Sequence, residues 1–211
     1  MARIICLANS TRPGGRCIAG IEIDTEKWVR PVSHFSNRAI TWDIRNIEGE
    51  EPEILDIIDI PLEDHGPDEG CQPENRLVKP GKWQKVGRKR PREVLKYCED
   101  DLIILHNHTD RVLATFFEKL PRRKWKSLQL VRNKNVSFNL DFWGKRRAFF
   151  RDGEGHYLEL AVKDPDFLNK LVREEQVSSD CIMTISLAGP WSPSGTEPQR
   201  CYKLVAGVIE L

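Results

Sequence analysis

Trp28 and Arg30 stand two residues apart in the stretch WVRPVS, and on a strand that spacing turns both side chains to one face. An indole beside a guanidinium can stack on a base and hold a phosphate. The same pair also fits a core Trp with an Arg lying over it, its head in water. Aromatic and basic residues meet again at Trp83, with Lys82, Lys85, Arg88, Lys89 and Arg90, and at Trp125, with Arg122, Arg123, Lys124 and Lys126. A fourth meeting sets Arg146 and Arg147 beside Phe149 and Phe150. Each group alone fits a solvated charge run next to a core aromatic. Their recurrence is what points to a phosphate-bearing partner.

Other chemistries have less to rest on. His65 with Cys71, and Cys98 with His106 and His108, are the clusters of metal-ligand types, and neither has the spacing of a finger, ribbon or knuckle. No metal or cofactor is therefore expected. An acid/base role for His65, beside Asp64, or for His106 and His108, near Asp100 and Asp101, defines the alternative of an enzyme acting on nucleic acid or nucleotides. No nucleophile elbow, P-loop or paired-metal carboxylate motif accompanies these residues. A third alternative, a protein-interaction scaffold, would use the charged stretches to meet complementary partners.

The net charge of +1 conceals an uneven distribution. Residues 43–74 are strongly acidic with Arg45 as their single base, and residues 76–96 are basic with Glu93 as their single acid. Local sign is the better guide to partners than the average. With 39% hydrophobic and 31% charged residues the 211-residue chain reads as a globular protein of one large or two small domains. No apolar run approaches the roughly 20 residues of a membrane span. The N-terminus enters a strand-like run directly, without a signal-peptide pattern, so a cytoplasmic protein with no membrane partner is expected. Six cysteines without C-x-x-C spacing, most inside apolar runs, are expected as reduced thiols.

The elements that must carry these residues are mostly strands. Residues 3–10, 17–23 and 28–33 form a plausible meander, in which Pro31 asks for a free edge or a bulge. Residues 54–60 give a strong fourth strand and residues 63–74 a Gly/Pro-rich polar loop. Pro91 opens a candidate helix, and Thr109 or Asp110 could cap another running through Val112, Leu113, Phe116 and Phe117. Beyond residue 125 strands are expected at 127–132 with 136–143, then 146–151 and 156–162, followed by a helix started by Asp164 and Pro165 and by strands at 181–187 and 201–210. With Asn133-Lys134-Asn135 as a bulge or turn, the order is β-β-β-α-β-β. That is the order of an OB-fold, a small Greek-key barrel with its helix between strands three and four. The first part shows four strands without a clear helix in that position.

The expected architecture is mainly β with a few helices: two small OB-like Greek-key barrels, residues 1–90 and 125–211, joined by a helical segment at 91–124. The pattern NSTRPGGRCIAGIEI…KWVRPVS, followed by GCQPENRLVKPGKWQKVG, resembles the dual OB-containing domain family of prokaryotes. Ser10 with Arg12, Cys17 with Gly20, Trp28 with Arg30 and Pro31, and Pro73-Glu74-Asn75 carry the resemblance. It implies two OB-like barrels that recognise nucleic acid or a nucleotide, in bacterial defence or conflict systems and beside a separate effector protein, with no catalytic centre. The expected function is therefore a non-catalytic recognition module for single-stranded nucleic acid or a nucleotide. Its expected contacts are Arg12, Trp28, Arg30, Trp83, Lys85, Arg88, Lys89, Arg90, Arg123, Lys124, Arg146 and Arg147.

Overall fold

The computed structural model describes all of residues 1–211, and the chain divides into two compact units: residues 1–67 with 74–94, and residues 68–73 with 95–211. The first holds β1 (Ala2–Arg12), β2 (Gly15–Glu22), β3 (Trp28–Val32), the one-turn helix α1 (Trp42–Arg45), β4 (Asp56–Ile60), β5 (Asn75–Leu77) and β6 (Gln84–Arg88). β1 pairs antiparallel with β2 and β4, β2 with β3, and β3 runs parallel to β5. Past Pro61 the β4 chain bends onto β5: Leu62 bridges Val78, and the amides of Glu63 and Lys79 donate to the carbonyls of Leu77 and Pro61. That bridge joins the two ends of the run β5-β3-β2-β1-β4 and closes a five-stranded barrel, with β6 added outside on β4.

Alternation builds its interior. Ile4 and Cys6 of β1, Ile18 of β2, Val29 of β3 and Ile58 and Ile60 of β4 share one core with Trp83. Gly20 is required by the close approach of β2 to β1, because a Cβ there would stand 2.1 Å from the Ile5 carbonyl oxygen. α1 occupies the place between strands three and four where the sequence shows no helix. Four residues are too few to display a helical period. The turn is fixed instead by Arg45, whose buried guanidinium donates to the Ile40 carbonyl at 2.8 Å and to Glu51 at 2.7 Å.

The second unit follows a 3-10 segment over Pro91–Tyr97 and contains β7 (Arg111–Leu113), α2 (Ala114–Lys119), a 3-10 turn at Arg122–Lys124, β8 (Leu128–Asn133), β9 (Ser137–Leu140), β10 (Arg146–Arg151), β11 (Tyr157–Val162), α3 (Pro165–Val172), β12 (Cys181–Leu187) and β13 (Arg200–Glu210). The expected helix starting at Thr109 or Asp110 is corrected. Val112 is buried opposite Cys201 in a short β7–β13 pairing, and the Thr109 hydroxyl donates to the Arg111 carbonyl, so the helix begins only at Ala114.

The sheet order is β8-β12-β13-β11-β10-β9, with β11 and β13 parallel. β8 and β9 are separated by only residues 134–136, so the path starts and ends on one bent strand and the barrel is closed. Both barrels thus have the OB order, with strand three parallel to strand five and a helix after strand three. In the second, α3 is capped by Asp164, whose carboxylate accepts from the amides of Asp166 and Phe167, and Phe167 and Leu171 face the core. No helix is long and apolar enough to cross a membrane.

Candidate nucleic-acid interface

The strand 2–3 face of the second barrel is made by β10 and β11. Ala148 and Phe150 point into the core, so Arg147, Phe149 and Arg151 point outward, as do Tyr157 and Glu159 across the ladder. Arg151 lies opposite Tyr157, which sets Phe149 and Tyr157 on a diagonal. Their rings stack with centroids 6.1 Å apart and planes 29° from parallel, and Tyr157 is 58% exposed. They lie in a groove of about 830 Å³ lined also by Arg132, Lys134, Ser137 and Arg151. Arg132 is engaged in a two-pronged pair with Asp180, whereas Arg151 donates to the neutral carbonyl of Gly155 at 2.6 Å and pairs with no carboxylate. Lys134 is exposed at the bend between β8 and β9. An aromatic platform flanked by cations is an arrangement that stacks bases and tracks a phosphate backbone.

One end of the groove is the β10–β11 loop, and a second polar cluster is built there. Asp152, with its side chain fully enclosed, accepts from the amides of Glu154 and His156 at 3.1 and 2.9 Å and from His108 Nδ1 at 2.6 Å. Burial pushes the Asp152 carboxyl up, but these hydrogen bonds outweigh it and hold it below the usual aspartate range. His108 is delivered by the segment before β7, which Lys203 of β13 ties down. Its Nζ donates to the carbonyls of Ile104 and Asn107 at 2.6 and 2.5 Å, and burial lowers its pKa to about 8. The neighbouring His106 is structural, with Nε2 2.7 Å from the Lys126 carbonyl oxygen and its ring edge-on to Phe117. Burial raises the Cys98 thiol to about 11, and none of the six cysteines is joined in a disulfide. His65 belongs to the first unit and Cys71 to the second.

The twelve residues expected from the sequence are divided between the two units and differ in burial. Arg30 is 0% exposed, with Nη1 donating to the Asn75 amide oxygen at 3.2 Å, and Trp83 is 2% exposed in the first core. Neither can touch a ligand, and both are corrected to structural residues. The reason is that β3 is not an outer strand: β5 covers one side of it, and Val29 to Val32 are all buried. Trp28 is half-buried beside Ile21 of β2, and Arg12 is half-buried at the end of β1. Lys85 and Arg88 both reach the buried Asp56 at 2.8 Å, so part of the basic run serves one enclosed carboxylate. Lys89 and Arg90 pair with Glu93 at 3.5 and 3.1 Å. Arg123 and Lys124 are exposed in the 3-10 turn of the second unit. Arg146 donates to the Leu171 carbonyl, and Arg147 is held by Asp141 at 2.9 Å and Glu159 at 3.7 Å. The groove cations are Arg132, Lys134 and Arg151, which the basic-aromatic rule missed. A period-two reading of RRAFFR against HYLELAV, with Phe150 inward, would have brought Arg151 and Tyr157 to one face.

Two closed barrels of this topology, one presenting its strand 2–3 face as an aromatic and basic groove, define an OB-fold binding protein. The family model of the dual OB-containing domain matches residues 2–208, and the chain belongs to that family. No curated protein and no solved structure matched the chain.

Proposed function

We propose that the second barrel binds single-stranded nucleic acid across β10 and β11. The observation that carries this reading is the Phe149–Tyr157 platform with Lys134 and Arg151 beside it on the barrel's strand 2–3 face. Bases would stack on the two rings, and the phosphates would run past the cations. A duplex presents no free base faces to such a platform, so single strands are favoured. A lone nucleotide would use one ring and one cation, and would bind more weakly than an oligomer.

Fluorescence anisotropy with labelled DNA and RNA oligomers tests this. Tyr157→Ala should weaken binding by about 1–3 kcal/mol, the usual worth of one stacked base. Arg151→Ala and Lys134→Ala should each lower the slope of log affinity against log salt by about 0.7. Single strands that fail to bind at low salt, or a Tyr157→Ala/Arg151→Ala double variant that binds as well as wild type, would sink the reading.

A further inference from the structure

We propose that His108, Glu154 and His156 form a binding site for a divalent transition metal of the zinc class, with Asp152 orienting His108. One donor atom from each of the three residues lies within 4.8 Å of the others. The His108 and His156 rings stack with centroids 3.9 Å apart and planes 30° from parallel, and His108 Nε2 is 3.3 Å from the Glu154 carboxylate. Two imidazoles and a carboxylate form the three-ligand set of open zinc sites, which leave a fourth position for water or a ligand oxygen.

Asp152 separates this cluster from a chance meeting of surface residues. Its enclosed carboxylate accepts a hydrogen bond from His108 Nδ1 at 2.6 Å, which leaves Nε2, 3.3 Å from the Glu154 carboxylate, as the nitrogen available to a metal. A carboxylate holding the far nitrogen of a ligating His is the recurrent outer partner in zinc sites. The same carboxylate anchors the amides of Glu154 and His156, so one buried group places all three ligands. His156 Nδ1 also lies 3.5 Å from the Asp152 carboxylate, so both imidazoles are gathered over the one buried acid. Tetrahedral zinc sets its ligand atoms about 3.3 Å apart, and the exposed Glu154 and His156 side chains can close to that spacing by rotamer changes. Imidazole donors favour zinc, nickel or copper over magnesium or calcium. The proposal is independent of nucleic-acid binding, because its test uses the metal alone.

Titrating chelator-treated protein with zinc chloride by calorimetry should give one equivalent bound with micromolar or tighter affinity. Cobalt(II) should give visible d–d bands without a thiolate-to-metal charge-transfer band, since no cysteine is in the set. His156→Ala removes an exposed side chain, so its melting temperature in chelator should match wild type while its zinc affinity falls at least tenfold. Glu154→Gln should weaken zinc in the same direction. No binding by wild type, a thiolate band, or a His156→Ala variant that binds zinc as tightly as wild type would each overturn the site.

Discussion

The Arg30 guanidinium is fully enclosed in the first barrel, next to the Asn75 amide oxygen, and its backbone amide donates to Glu74. The residues that carry the family resemblance at positions 28–31 and 73–75 therefore meet as parallel neighbours, Arg30 beside Asn75 and Pro31 beside Arg76. A buried charge held this way is costly to truncate, because its partners lose a donor and a void remains. Arg30→Ala should lose about 2–4 kcal/mol in urea unfolding while oligomer affinity of the folded protein stays at the wild-type value. Arg30→Lys should not restore stability, since an ammonium lacks the planar fork. A fully stable Arg30→Ala variant with weakened oligomer binding would return this residue to the ligand surface. The spacing rule that put Trp28 and Arg30 on one face describes direction alone. It carries no knowledge of β5, supplied some 45 residues later, which covers that strand.

α3 links a local signal to a global one. Asp164 was legible as a cap from Asp-Pro followed by the apolar spacing of Phe167, Leu168 and Leu171. The sequence could not show that its second oxygen also accepts from the Val208 amide of β13, which pins the helix to the barrel. Burial raises this carboxyl to about 6 despite its three amide donors. The sign follows from linkage: a raised native pKa means the folded state holds the proton more tightly than the unfolded state. The contribution to stability is then full below the unfolded aspartate value and declines as pH rises through about 6. Asp164→Asn keeps the cap acceptor and abolishes the titration. Subtracting its unfolding free energies from those of wild type between pH 4 and pH 7 should isolate a wild-type loss on the order of 2 kcal/mol as pH rises. A flat difference would place the Asp164 pKa near its ordinary value. β3 shows the converse at this scale. Pro31 asked for a free edge, and it lies where the β2–β3 pairing has already ended after Val29, so its missing N–H breaks no ladder bond.

At the scale of the molecule, two closed barrels have two interiors, one around Ile4, Ile58 and Trp83 and one around Phe150, Met183 and Val205. Ile58→Ala should lower protection from hydrogen exchange in β1, β2 and β4 by about 2–5 kcal/mol, and oligomer affinity at β10–β11 should stay unchanged. Loss of oligomer binding in that variant, with the second barrel still protected, would move the site to the first. The second barrel was legible as strand order because its strands are long and its helix has a cap and a period. The first was legible in its first four strands but not in its closure, which depends on one bridge, Leu62 to Val78, and on a four-residue helix. The groove and the loop cluster were least legible. Asp152 meets His108 across 44 residues, and a ligand set assembled from a segment before β7 and a hairpin leaves no spacing in the chain.

Closure also leaves one strand exposed to strangers. β6 ends the sheet of the first unit, with hydrogen-bonding groups along its outer side available to any extended peptide. Gln84, Lys85 and Arg88 stand exposed along it, and the Lys85 and Arg88 charges are tethered to Asp56 beneath. Long charged side chains along such a margin discourage the strand addition that begins aggregation. The charged run after Trp83 thus borders the open sheet margin, where an uncharged one would invite a neighbouring chain.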